Sequence, residues 1–331
     1  MSTHSQNEIA PEILLKLIRT MLLIRKFEEK IIDVYPAQDM KTPVHLYIGQ
    51  EAVAAGVCVN LAKDDYLFTN HRSHGHCLAK GADPGKLYAE FYGRTDGYCK
   101  GKGGSMHLAI PEIGIPGTSA IVGGGIPLGV GTALASKMKG DEKISAVFFG
   151  DGAVDEGVFH ESLNFASLKK LPVIFVCENN FYSVNSHISA RQPHDNIAKR
   201  AESYEVQGIQ VNGNDVIAVY RASKAAVNRI RKNDGPTLIE CRTYRWKGHV
   251  GSDCDYEMGC RPEGELNDWM AKCPIEIFKR QLIEDDILSE EQFQSVVDKI
   301  DADLMRALEW AKKSPYPDKK TVLSNVYFGM E

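Results

Sequence analysis

Asp151 and Asn180 carry the pair of side chains in this sequence best suited to chemistry. One offers a hard anionic oxygen and the other a neutral carbonyl oxygen. Each follows a short apolar run rich in β-branched residues, Ile144 to Phe149 and Val173 to Cys177. Between the runs lies a helical stretch from about Asp155 to Lys169 and a Leu-Pro break. That is the pattern of a βαβ unit. A right-handed crossover sets the two strands side by side or nearly so, with their C-terminal ends at one edge. Ligands of open α/β sheets bind at that edge. Magnesium takes about six oxygens and commonly shares them with phosphate, so two or three protein oxygens leave room for phosphate and water. Gly150 and Gly152 allow a tight turn and a close backbone approach. A helix beginning near Ala153 would aim free N–H groups at the same place. A lone Gly-Asp-Gly is ordinarily a turn; strand-end placement at both positions gives this one a ligand-binding reading.

Other side chains invite comparison. Arg72 is always charged and donates in pairs, which suits phosphate. His249 lies in Lys247-Gly248-His249-Val250-Gly251, where it could exchange protons near neutral pH or simply be a solvated loop residue. His45 sits in a partly apolar run and reads equally as a core or a catalytic histidine. The cluster His71, His74 and His76 suggests a metal. However, no Cys or carboxylate nearby completes a four-ligand set, and Arg72 would repel a cation. The Gly-rich stretch Gly117 to Gly131 lacks nucleotide-loop spacing. It reads as close helix packing or as backbone access to a ligand.

The elements that must position these groups are partly visible. Residues 8–35 have apolar side chains at helical spacing, as does Pro274 to Lys313, where Ser289 and Gln292 form a plausible capping box. Residues 126–142 read as a helix with small faces, and Thr237 to Arg242 as a further strand. Residues 36–125 are rich in Gly, His and turns with few periodic runs, which suggests a segment built around a ligand. Over 331 residues, 43% are hydrophobic and 25% charged, with a net charge of -5. That balance favours neither nucleic acid nor an acidic membrane surface. No apolar run reaches the ~18 residues of a membrane span. Met1 to Glu12 has no secretory or organelle-signal pattern, so a cytoplasmic location is expected. Eight Cys without a Cys-x-x-Cys pair suggest reduced thiols.

Gly150-Asp151-Gly152 with Asn179-Asn180 after the next strand is similar to the thiamine-diphosphate motif. Val44 to Ala52, His71 to His76, Gly101 to His107 and Tyr244 to His249 together resemble the alpha subunit of the thiamine-diphosphate-dependent first component of 2-oxo acid dehydrogenase complexes, pyruvate and acetoin type. The resemblance runs from about residue 12 to 325. It implies an α/β thiamine-diphosphate-binding fold, a parallel sheet flanked by helices, with N-terminal and C-terminal helical extensions. The bounds expected are residues 1–270 for the cofactor-binding domain with its N-terminal helices and 271–331 for a C-terminal helical extension. The resemblance implies Mg2+ on Asp151, Asn180 and the Tyr182 carbonyl. It places His71, Arg72 and His249 toward the cofactor, Val122 beneath it, backbone contacts at Gly152 and Ala153, and His45 and His249 as catalytic groups. It implies a beta subunit in an α₂β₂ heterotetramer, a lipoyl-bearing acyltransferase, and pyruvate or acetoin as substrate. Residues 1–142 read as lacking a second parallel sheet for the other half of the cofactor. Rival readings are a split transketolase-like carboligase, a branched 2-oxo acid dehydrogenase alpha subunit and a non-catalytic protein that retains the fold.

Overall fold

The computed structural model describes residues 9–324 and Tyr327. Eight strands and ten α-helices are assigned among them. The helices are α1 (Pro11–Val34), α2 (Glu51–Cys58), α3 (His74–Lys80), α4 (Pro84–Phe91), α5 (Gly125–Lys139), α6 (Gly157–Leu168), α7 (Val216–Arg231), α8 (Glu263–Met270), α9 (Pro274–Glu284) and α10 (Glu290–Lys313). The strands are β1 (Tyr66–Thr69), β2 (Gly117–Thr118), β3 (Ser145–Gly150), β4 (Val173–Asn179), β5 (Tyr182–Ser183), β6 (Ser186–His187), β7 (Gln207–Asn212) and β8 (Thr237–Arg242). Six form one sheet in the order β2-β1-β3-β4-β8-β7, and β5 and β6 form a small hairpin. Every pairing in the large sheet is parallel. The expected α/β architecture, a parallel sheet flanked by helices, is therefore what the chain adopts.

The central strands are buried on both faces, and their side chains divide with period two. Ile174 and Val176 of β4 join one core cluster, with α1, α2, α4, α7, α9 and α10. Val173, Phe175 and Cys177 face the other, which contains Ile126, Val130, Phe159 and Leu163 of α5 and α6. Gly129 of α5 permits the close contact, since a Cβ there would stand 2.1 Å from Val147 Cγ2. The capping box predicted at Ser289 and Gln292 starts α10. That helix packs on α1 and α4. Past its end, the Ser314 carbonyl accepts from Arg94 Nη1 at 3.1 Å and the Pro315 carbonyl from the Thr95 N–H at 3.0 Å. Among the described residues no helix is long and apolar enough to cross a membrane.

Two sequence expectations change. Residues 36–125, expected as a Gly- and His-rich stretch without regular elements, contain three short α-helices and both β1 and β2, which join the one large sheet rather than form a second among the described residues. These elements run for only two to eight residues, too short for periodicity to register. The helix expected to begin near Ala153 starts instead at Gly157, and Asp151–Asp155 forms a 3-10 turn.

Candidate cofactor site at the strand ends

The C-terminal ends of β1, β3 and β4 open into one cleft of about 900 Å³, part of it continuous with solvent. β1 and β4 leave β3 on opposite sides. That is where an open parallel sheet leaves a crevice for ligands. His45, His71, Arg72, Val122, Asp151, Gly152, Ala153, Asn180, Tyr182 and His249 all line it. So do Gln50, Asn70 and Glu178, which the sequence reading did not single out.

Register explains the meeting of Asp151 and Asn180. Gly150 pairs with Glu178 across β3 and β4, so each of the two residues lies one or two positions past a shared edge. Asp151 is 1% exposed. Burial raises its carboxyl above the usual range, and the Arg191 guanidinium opposes that rise. Arg191 bridges Asp151 and Asp155, the latter at 2.6 Å. A cation thus already stands on the carboxylate proposed for a metal. Asn180 Oδ1 accepts from the Tyr182 N–H at 3.3 Å, and its Nδ2 donates to Gln50 Oε1 at 2.9 Å. At Gly152 a Cβ would come within 2.5 Å of Ser183 Oγ and 2.9 Å of its Cβ, so any side chain there would force Ser183 to shift. Gly150 has an ordinary φ of -83°, and a Cβ there would meet no protein atom within 4 Å. Its bareness leaves cleft space rather than permitting the turn.

The cleft also has a cationic part. Arg72 is 4% exposed and donates to two carbonyls, Leu46 at 2.6 Å and His249 at 3.2 Å. No carboxylate among the described residues forms an ion pair with it. Burial and then Arg245 lower its guanidinium to about 9, which leaves it charged at neutral pH. The rings of His45, His71 and His249 cluster beside it, with centroids 4.7 to 5.1 Å apart. Burial first, and then Arg72, depress them to about 3, about 2 and about 4 respectively. All three are therefore neutral at pH 7. His45 Nδ1 is buried without a partner. Ligand nitrogens of the three lie within 4.8 Å of one another. With no acid in the cluster and Arg72 alongside, its charge suits an anion better than a metal.

His71, His74 and His76 point to three different places. His74 contacts Glu28 at 3.1 Å and Ser105 at 2.7 Å, and His76 contacts Thr69 at 2.8 Å and Glu178 at 3.0 Å. Only His71 reaches the cleft. Tyr47 O–H also donates to Glu178. His249 is carried by a loop whose path is fixed by Asp255, which pairs with Arg245 at 3.0 Å and Arg261 at 2.6 Å.

The residues present fit a metal-bound diphosphate. A buried arginine without an ion-paired acid and an unpartnered imidazole nitrogen share one cleft with two oxygen donors at adjacent strand ends. A family model described as dehydrogenase E1 component matches residues 19–320. The chain belongs to the dehydrogenase E1 component family. Within it the chain is an alpha subunit, and the family is thiamine-diphosphate-dependent. It is 40% identical over 324 residues to the alpha subunit of acetoin:2,6-dichlorophenolindophenol oxidoreductase of Bacillus subtilis (strain 168), covering 98% of this chain and 96% of the relative. It is 38% identical to the corresponding Cupriavidus necator subunit, over 96% and 94% of the two chains. A chloroplastic pyruvate dehydrogenase E1 component subunit alpha-3 of Arabidopsis thaliana is 38% identical over 95% of this chain and 74% of its own.

Proposed function

We propose that this E1 alpha chain holds the magnesium and diphosphate of thiamine diphosphate. It would cleave pyruvate or acetoin and pass the acyl group to a lipoyl arm. The observation that carries this is the presence in one cleft of Asp151 and Asn180 together with Arg72, a buried cation with no ion-paired acid of its own. When bound, thiamine diphosphate supplies an electron sink for breaking a bond beside a carbonyl.

The chain's own residues orient and neutralise. Asp151, Asn180 and the Tyr182 carbonyl offer oxygen to magnesium, which suits a hard cation. Arg72 and His71 take the phosphate oxygens, and the backbone at Gly152 and Ala153 faces them. Val122, 51% exposed and lining the cleft, would support the cofactor when it is bound. His45 and His249, held neutral at pH 7, would serve in proton transfer once a bound anion raises their affinity for protons toward the working range. The cofactor-binding unit would span residues 1–270, with 271–331 as its helical extension; of these, 1–8, 325, 326 and 328–331 lie outside the described residues.

A beta subunit, in an α₂β₂ assembly, would complete the site. Ile121 is 75% exposed and Leu128 54%, beside the cleft and on α5. Apolar side chains grouped in that way suit a partner's cover. The test is the reconstituted enzyme assayed on pyruvate, acetoin and branched 2-oxo acids, with lipoamide and with an artificial electron acceptor. Turnover of pyruvate or acetoin with lipoamide is expected. Aldehyde ligation without lipoamide would favour the carboligase, and full turnover by the alpha chain alone would refute the two-subunit reading.

A further inference from the structure

Gln50 lies at the N-terminus of α2, on a turn with little freedom. Gly49 before it has a φ of +99°, and a Cβ there would stand 2.3 Å from the Tyr244 carbonyl oxygen. Glu51 after it takes the Gly49 N–H at 3.0 Å and Arg25 Nε at 2.6 Å. The Gln50 N–H itself donates to the Tyr47 carbonyl at 3.1 Å. The side chain is 0% exposed to solvent yet borders the cleft. Its Oε1 accepts from Asn180 Nδ2, and its Nε2 has no partner.

We propose that Gln50 is a positioning residue of the metal–diphosphate site: its Oε1 holds Asn180 so that oxygen rather than nitrogen faces the metal, and its Nε2 donates to a phosphate oxygen. The inference rests on the reading of Asp151 and Asn180 as metal ligands. A primary amide has nearly the same shape with its oxygen and nitrogen exchanged, so packing alone does not select the useful face. A hard divalent cation accepts only the oxygen. The tie is broken at two points: the Tyr182 N–H donates to Asn180 Oδ1, and Gln50 Oε1 is the acceptor that Nδ2 then meets. The remaining Nε2 is a buried donor on the cleft wall, and burial without a partner is unfavourable until an acceptor arrives. A phosphate oxygen is such an acceptor, and charge strengthens the bond.

The two atoms can be separated by experiment on the enzyme with its beta subunit, read by calorimetric titration rather than turnover. Gln50→Leu removes both atoms and should weaken magnesium about tenfold, the usual scale for a partner that orients a ligand. Gln50→Glu keeps an acceptor for Asn180 but replaces the donor. Magnesium affinity should then be no weaker than in the parent, while thiamine diphosphate binds less well. The decisive comparison uses Asn180→Asp, whose carboxylate has oxygen on both sides. In that background Gln50→Leu should cost magnesium affinity less than about twofold, since no orientation remains to be set. Equal losses in both backgrounds, or no loss in the parent, would overturn the proposal. Asp151→Ala distinguishes the two levels. If it binds cofactor with undiminished magnesium dependence, the site reading itself falls, and Gln50 with it. If it fails to bind while Gln50→Leu binds like the parent, only the role of Gln50 is lost. A packing defect alone would lower the melting temperature without separating metal from cofactor.

Discussion

Replacing Arg191 with methionine tests how the site keeps a buried carboxylate when no metal is bound. Asp151 has a side chain 1% exposed and Arg191 one 15% exposed, so their ion pair is largely removed from water. Removing one partner of a buried pair costs about 3–5 kcal/mol. The partial exposure of Arg191, and of Asp155 at 32%, argues for the lower end. At about 2.1 cal/mol/K of unfolding entropy per residue, a loss of ~3 kcal/mol lowers the melting temperature by roughly 4 °C for a chain of this length. With magnesium and thiamine diphosphate present the metal replaces the guanidinium on Asp151, and the deficit should nearly vanish. By linkage the same ~3 kcal/mol becomes tighter metal binding in Arg191→Met, up to about 100-fold. The assay is thermal unfolding with and without the metal–cofactor pair, alongside calorimetric titration. A variant that melts equally lower in both states and binds no more tightly would show that Arg191 stays on Asp151 in the loaded enzyme. The reasoning would then be wrong.

Asp151→Ala is expected to abolish magnesium-dependent cofactor binding while keeping the fold, checked by calorimetry and circular dichroism. Arg72→Lys should weaken thiamine diphosphate roughly tenfold or more, because a charged, paired donor becomes a single point charge; unchanged affinity would make Arg72 purely structural. The cofactor-free protein should lose stability as pH falls. His45, His71 and His249 sit at about 3, about 2 and about 4 when folded, against an ordinary 6.5. Between 6.5 and about 4 the unfolded chain takes up protons that the folded one refuses. Their contribution is therefore complete above 6.5 and declines below it. Denaturant unfolding at pH 7 and pH 5 reads the decline, and His71→Gln should lessen it. Cofactor binding near pH 6 should draw protons in, since an anion beside these rings raises their affinity for them; calorimetry in buffers of different ionisation enthalpy would detect the uptake.

The parts of the fold legible in the sequence are those set by local pattern. β3 and β4 are apolar runs long enough to read, and their ends fix where Asp151 and Asn180 stand. α1 and α10 show helical spacing over 24 residues each. β1 and β2 escaped because Tyr66–Thr69 and Gly117–Thr118 are four and two residues long, too short for a period to show before their neighbours in the sheet are known. The resembling motifs named residues that the fold brings to the cleft, but not the partners that hold them. Gln50 lies in one of those motifs, but its bond to Asn180 spans 130 positions. Glu178 stands directly before Asn179-Asn180, which was a usable sign. Arg191 had none: only the fold of the β5–β6 hairpin and the turn after it brings its guanidinium to Asp151.

The packing of α10 on α1 and α4 has a consequence for how the chain is made. During synthesis from the N-terminus, α1 leaves the ribosome more than 250 residues before α10 begins. Until then part of its apolar stripe has no cover. The β3–β4 unit can form early, because its two strands are separated by one helix. The outer helical layer must wait for the last eighth of the chain. Pairings between such distant segments form slowly, and exposed apolar surface invites aggregation meanwhile. A chain cut before Glu290 would emerge with its sheet and cleft residues present but a helical flank uncovered, a substrate for chaperones rather than for assembly.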